Sequence, residues 1–373
     1  MKSVIFIVSS PLQKRDYVRF SIEELTKSDV VVKVFDVSKI AFPHISFNDN
    51  SESDSFDVEV FLLKSLFEVE QEVRRNGNNA VFISVGFLGK NLFQAIRSNC
   101  KEFGCQMLGP IPVARGRNAR FKKLKDIIAS PRDLLTKLIN KVYFCVDRYD
   151  FYISVNKVGN KKTIICHCYD YNLELLNDSA VDSASERYIV FIDQMIPHHP
   201  DFKFHNIINN IDGADYYKKM DVFFSRLESK VKCEVVILAH PRSTSLDNYS
   251  DYYNGRKVYF GSSSDIISKS KFTMTHYSTA INFSVIHNKP ILFLCSNEIR
   301  SLGMTEQVEL MAKETCQKIV DIEVDINNAD IIDFVYCVNK GENNYRDYTI
   351  KYISNRSDND SNGKILMNEL LND

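Results

Sequence analysis

Two histidines stand where a sheet could present them to a ligand. His240-Pro241-Arg242-Ser243 follows the apolar run at 235–239, and His276-Tyr277-Ser278-Thr279 follows the run at 272–275. In an open α/β sheet, ligands gather outside the carboxyl ends of the strands. Donors and hydroxyls placed there ahead of helices suit a phosphate-bearing ligand. An imidazole at His240 can donate to a phosphate oxygen, and Arg242 can add charge-assisted bonds. Pro241 stops the strand and fixes the turn. The plainer alternative is a strand-end histidine bonded to a neighbouring carbonyl. Ser278 and Thr279 stand where a helix should begin. They either cap it or share an anion site with its unpaired N–H groups and positive dipole end. Gly261-Ser262-Ser263 precede a helix expected over 265–270, and glycine lets a ligand approach the backbone closely. The functional reading is a base or ribose contact; the plain one is a cap at Ser264 or Asp265.

Strands and helices alternate along the chain in a way that positions these groups. Residues 3–9 form a short β-branched apolar run stopped by Ser10-Pro11, as a buried strand would. Helical spacing covers 14–27, strand character 30–35, a polar loop 45–56 and helical spacing again 61–75. Residues 80–85 read as a strand, with Gly86 and Gly89 bracketing the turn into a helix over 90–100. Further strands are expected at 142–146, 152–155, 162–168 and 188–192. A helix over 213–230 leads into the strands at 235–239, 272–275 and 290–295. Then come a helix at 301–312, a strand at 321–325 and a helix at 329–338. Such alternation implies βαβ units and a parallel sheet.

The totals narrow the class. The chain has 373 residues, enough for two domains, and 44% of them are hydrophobic. We expect an N-terminal domain over 1–180, a C-terminal domain over 186–350, and a tail over 351–373 that is mobile before a short final helix. The polar stretch 172–187 marks the boundary. A net charge of −1 argues against a general nucleic-acid binder. Nine cysteines without a framework fit a reducing compartment. Cys166 and Cys168 flank His167 but alternate along an expected strand with no second ligand cluster, so no metal is expected. The N-terminal apolar run is too short for a signal peptide, and no run reaches about 18 apolar residues. A soluble, cytoplasmic protein is the expectation.

Charge is concentrated at 115–141, where nine basic residues stand against Asp126 and Asp133. Apolar residues recur there near helical period. A solvated helical face with an ordinary core side explains this. So does an interfacial helix on an anionic membrane, which would place the protein peripherally on an inner membrane.

The series of strand then His-Pro, FGSSSDI, and HYSTAINFSV running into KPILFL resembles the C-terminal half of GT-B glycosyltransferases of bacterial surface polysaccharides. It is most similar to CMP-sialic-acid and Kdo-type transferases, which share a His-Pro motif and a Ser-Ser/Thr motif. CDP-polyol polymerases of teichoic acid synthesis have a similar pattern. Ser10-Pro11-Leu12-Gln13 after the first strand resembles the start of some of these enzymes. The resemblance covers roughly residues 1–15 and 186–296 and implies two Rossmann-like domains facing a cleft, the C-terminal one holding the nucleotide. It also implies that His240 and the Ser278/Thr279 pair bind the phosphate of a CMP-sugar, with Ser10 and Gln13 on the acceptor side.

The family's acidic Asp/Glu-Asp/Glu-Gly motif is absent here. Glycosyl transfer still needs a base for the acceptor hydroxyl and positive groups for the departing phosphate. Asp193, beside Gln194 and upstream of His198-His199-Pro200-Asp201, and Asp170, after the strand at 162–168, are equal candidates for the base. The expected reaction moves a nonulosonic or Kdo-type acid to a lipopolysaccharide, capsule or lipid-linked glycan acceptor, with no cofactor. A non-hydrolysing nucleotide-sugar epimerase and a non-catalytic nucleotide- or glycan-binding protein are the rivals.

Overall fold

The computed structural model describes residues 3–28, 30–45, 56–77, 79–113, 149–177, 188–199, 209–241, 243, 249–323, 334 and 344–371. The chain divides into two compact units. Unit 1 comprises Met1–Pro110, Arg117–Asn177 and Lys351–Asp373; unit 2 comprises Ile111–Gly116 and Asp178–Ile350.

Unit 1 opens with β1 (Ser3–Val8), α1 (Lys14–Arg19), α2 (Ile22–Thr26), β2 (Val32–Asp36), α3 (Ser38–Ala41) and β3 (Glu59–Leu62). It continues through α4 (Leu66–Asn76), β4 (Ala80–Val85), α5 (Lys90–Arg97), β5 (Glu102–Met107), β6 (Phe151–Ser154), β7 (Lys162–Ile165) and α6 (Tyr169–Leu176). Its described strands form one parallel sheet in the order β3-β2-β1-β4-β5-β6-β7. β1 and β4 are almost wholly buried apolar runs, as strands covered on both faces require.

Unit 2 runs β8 (Tyr188–Ile192), α7 (Gly213–Val231), β9 (Val235–Leu238), β10 (Val258–Tyr259), α8 (Ser263–Ser268), β11 (Ser270–Thr275) and α9 (Ile281–Ile286). Then follow β12 (Ile291–Cys295), α10 (Asn297–Ser301), α11 (Thr305–Glu314), β13 (Lys318–Asp321) and α12 (Arg346–Tyr348). Its described sheet is also parallel, in the order β10-β9-β8-β11-β12-β13. Counted within each unit, both sheets follow the doubly wound order 3-2-1-4-5-6, extended by a seventh strand in unit 1. The strand order therefore reverses between β1 and β4, and again between β8 and β11. α7 shows how locally the elements are specified. Asp212 caps it by accepting from Ala214 N at 2.9 Å and Asp215 N at 3.3 Å. Tyr216, Tyr217, Met220, Phe223, Phe224 and Leu227 form its buried stripe.

Several boundaries differ from the sequence expectation, each for a local reason. Residues 14–27 form two helices because Ser21 sits at φ 62, a conformation that breaks a right-handed helix. Phe61 and Leu62 belong to β3, paired with Phe35 and Asp36, and not to the helix that follows. β5 was not expected, because Glu102, Gly104 and Gln106 interrupt its apolar character. Gly104 is needed there: a Cβ would lie 2.2 Å from the Phe151 ring across the ladder. Residues 169–176 form α6, which includes the first part of the polar stretch expected at the domain boundary. The helix expected over 301–312 is split into α10 and α11 at left-handed Gly303. β13 begins at Lys318, earlier than the expected 321. The strand at 142–146, the helix at 329–338 except Phe334, most of the 45–56 loop and residues 178–187 lie outside the described residues.

The stretch set apart as a mobile tail is built into unit 1, ending in α13 (Asn362–Leu371). Ile365, Leu366 and Leu370 of α13 are buried. Asn362 is fully buried and clamps β7 to the chain end: its Oδ1 accepts from His167 N at 2.9 Å, and its Nδ2 donates to His167 O at 3.0 Å. The His167 ring is held by Ser354 Oγ at 2.7 Å and Asp360 O at 3.1 Å. Asn362→Ala removes two buried amide bonds and leaves their partners unsatisfied. It should lower stability by about 2–4 kcal/mol, measured by urea denaturation, with Asn368→Ala as a surface control.

Candidate functional site

The carboxyl ends of β10, β9, β8 and β11 bring the predicted donor-side groups into one row. Leu238 pairs with Tyr259 on one side and with Ile192 on the other, while Phe191 pairs with Met274. Gly261, His240, Gln194 and Tyr277 each stand two residues past Tyr259, Leu238, Ile192 and Thr275, so all four follow the carboxyl ends of neighbouring strands. Ser278 and Thr279 follow at one end of the row, and Ser262 and Ser263 at the other.

The turn after β11 is held from beneath. Gln194 Oε1 accepts from Tyr277 N at 2.8 Å. Thr275 Oγ1 lies 3.1 Å from Ile192 O and 3.4 Å from Gln194 Oε1. Ser278 is half-buried, and its Oγ accepts from Ala280 N at 3.2 Å, so this hydroxyl shapes the turn into α9. Thr279 is exposed. At the other end, Gly261 (φ 72) and Ser262 (φ 45) are both left-handed and exposed, with open space beside Gly261. Half-buried Ser263 opens α8, while Ser264 Oγ meets His287 Nε2 at 2.7 Å.

His276 is not a ligand-binding residue. It is fully buried between Tyr216 OH, 2.9 Å from Nε2, and Leu294 O, 2.8 Å from Nδ1. A carbonyl only accepts, so Nδ1 carries the proton and Nε2 accepts from the tyrosine. Burial holds this imidazole neutral, with its pKa lowered to about 4. His240, by contrast, is half-buried at the edge, and its ring meets that of His199 at 5.1 Å. The polar run after β8 thus reaches the row through a contact that linear spacing does not reveal. Pro241 is exposed beside it; Arg242, Pro200 and Asp201 lie outside the described residues.

Neither aspartate proposed as the base is poised as one. Asp170 lies buried in the first turn of α6 and pairs with Arg19 at 3.3 Å, the guanidinium also lying over the Tyr169 ring. Asp193 is 2% exposed, and its Oδ1 accepts from Met195 N at 3.0 Å. That bond secures the left-handed turn at Met195, φ 52. Its Oδ2 and the nearby Tyr253 hydroxyl are both buried without a hydrogen-bond partner. Burial pushes the Asp193 carboxyl up to about 6.

In unit 1, Ser10 and Gln13 are exposed just past β1, beside the point where that sheet reverses. Gln13 precedes α1 without a side-chain capping bond. Among the described residues, no group of three or more His, Cys, Asp or Glu could hold a metal ion. Cys166 and Cys168 are buried, and burial pushes the Cys166 thiol up to about 12. No described helix is long and apolar enough to cross a membrane, and the basic stretch 115–141 lies outside the described residues.

No family model matches the chain, and no curated protein matches it. Among solved structures it is similar to the UDP-GlcNAc 2-epimerase of Methanocaldococcus jannaschii, with 12% identity, 98% of each chain covered and a TM-score of 0.52. A structure of UDP-GlcNAc 2-epimerase from the same organism, in complex with UDP-GlcNAc and UDP, gives 11% identity, 98% and 97% coverage and a TM-score of 0.50. The glycotransferase of kitacinnamycin gives 8% identity, 91% and 95% coverage and a TM-score of 0.48. At these identities the first two likenesses show a shared fold. The fold class is α/β, with two Rossmann-like domains of the GT-B type.

Two measurements check the site's electrostatics. The unfolded chain gives up the Asp193 proton at a lower pH than the folded chain does. The stability this residue contributes is therefore full below about pH 4 and lost as pH rises through about 6. The loss amounts to about 3 kcal/mol. Asp193→Asn keeps the acceptor for Met195 N and should melt progressively higher than the parent as pH rises from 4 to 7. His276 works in the opposite sense, losing stability as pH falls through about 4. Tyr216→Phe leaves its Nε2 unsatisfied, and should cost about 1–3 kcal/mol at pH 7 by the same thermal melts.

Proposed function

We propose that the chain is a glycosyltransferase taking its sugar from a nucleotide donor bound at the carboxyl edge of the unit 2 sheet. The observation that carries this reading is the row of Gly261, His240, Gln194 and Tyr277 beside the reversal of strand order. A nucleotide fits such a row because its phosphates need donors at the sheet edge and its base and ribose need an open flank. His240 donates to the departing phosphate, and Tyr277-Ser278-Thr279 supply further polar groups. Gly261-Ser262-Ser263 offer the flank for base or ribose.

Transfer breaks the bond between the anomeric carbon and the phosphate oxygen. The acceptor hydroxyl forms the new bond and loses its proton. Asp170 and Asp193 are engaged elsewhere, so that proton goes to an imidazole of the His199–His240 pair. Ser10 and Gln13 are assigned to the glycan or lipid-linked glycan acceptor, and the basic stretch 115–141 to an anionic membrane carrying it. The motif resemblance supports a CMP-activated nonulosonic or Kdo-type acid as donor and a lipopolysaccharide or capsule acceptor.

A second reading is a nucleotide-sugar epimerase. It is favoured by the likeness to two solved structures of UDP-GlcNAc 2-epimerases, at TM-scores of 0.52 and 0.50. An epimerase turns over a lone nucleotide sugar with no acceptor present. Isothermal titration with CMP, CDP and UDP should show CMP binding; UDP binding without CMP binding would overturn the donor assignment. His240→Ala should lower donor turnover at least 100-fold with an unchanged circular dichroism spectrum and melting temperature. Unaltered turnover in that variant would overturn the role given to His240.

A further inference from the structure

Gln194 closes the first βα turn of unit 2 and stands at the reversal of strand order between β8 and β11. Successive strand residues alternate faces. Asp193 accordingly points among the buried tyrosines, while Gln194 turns to the β11 side and holds Tyr277. The residue is 7% exposed. Its amide orientation is not a free choice. Oε1 takes the Tyr277 N–H at 2.8 Å and lies 3.4 Å from the Thr275 hydroxyl. Turning the amide over would set N–H against N–H. The Nε2 group must therefore face away from the turn, and among the described residues neither of its hydrogens is donated to a protein acceptor. The result is a donor-only group, fixed in direction by the backbone it supports, at the row's centre between His240 and Tyr277.

We infer that Gln194 is a ligand-binding residue whose Nε2 hydrogens hold a phosphate oxygen of the nucleotide. This rests on the nucleotide-sugar reading above and adds a contact to it. The first βα turn at a strand-order reversal is where doubly wound sheets take phosphate. A neutral amide held by two donors provides hydrogen bonds there without having to be desolvated as a charge. A group with only donors to offer also rejects protein-like donors from the ligand.

Gln194→Glu is the informative variant, because a carboxylate still accepts from Tyr277 N and Thr275 while replacing the donors with an anion. Titration calorimetry would compare the parent and variant with CMP and UDP, and with cytidine and uridine. The inference expects whichever nucleotide the parent binds to weaken at least tenfold in the variant, with its nucleoside unaffected and the melting temperature close to the parent's. Unchanged nucleotide affinity would overturn the inference and leave the nucleotide reading standing. Equal weakening of nucleotide and nucleoside would overturn it too, by placing Gln194 against base or ribose. A parent that binds neither nucleotide would remove both readings. Should the variant melt early, the same titrations are repeated at a temperature at which its circular dichroism spectrum matches the parent's, where weakening of the nucleotide alone is again expected.

Discussion

Where β8 and β11 part company, their onward chains leave the sheet, and the backbone beyond them has no strand to pair with. Buried peptide groups in that position cost free energy unless something answers them. Here side chains answer: Gln194 takes the Tyr277 amide, Thr275 reaches Ile192 O, and the Tyr216–His276–Leu294 chain fastens β11 to α7 and β12. The whole row from Gly261 to Thr279 depends on this repair. Without it the turn after β11 would have no reason to keep its place beside β8, and the exposed groups would not be held in register.

The two histidines that look alike in the sequence are separated by this constraint. Both end buried strands and both precede small hydroxyl residues, but only one is at the surface. β11 runs through the middle of its sheet between β8 and β12, so its terminal imidazole is enclosed from both sides and becomes a packing piece. β9 has only the two-residue β10 on its far side, so His240 keeps an exposed flank. Strand position within a sheet is a long-range property. It explains why spacing alone placed His276 with the ligand groups.

What was legible in the sequence was whatever depends on local chemistry. The buried parallel strands at 3–8, 80–85, 188–192 and 291–295 announce themselves as unbroken apolar runs, and α7 as an amphipathic stripe behind an aspartate cap. From these the two-unit α/β plan follows. β5 was invisible because its glycine serves a neighbour distant in the chain, the Phe151 ring, and because Glu102 and Gln106 break the apolar run. The alternation of strand, turn and helix located the carboxyl edges that carry His240, Ser278 and Gly261. It could not give the order of the strands, and so could not show that β8 lies between β9 and β11, or that Gln194 rather than Asp193 faces the row. Nor could it reveal the meeting of His199 with His240, which the fold alone creates.

The return of the chain end to unit 1 also has a consequence for biosynthesis. The segment that seals β7 through Asn362 and His167 is made only after all of unit 2. At about 5–20 residues per second the ribosome needs on the order of ten to forty seconds to travel that far. Throughout that interval the first sheet exists without its closing helix, with His167 and Asn172 lacking their Asn362 partners. Unit 1, begun before unit 2, is therefore completed after it, and in the meantime is open to misassembly and to chaperone capture.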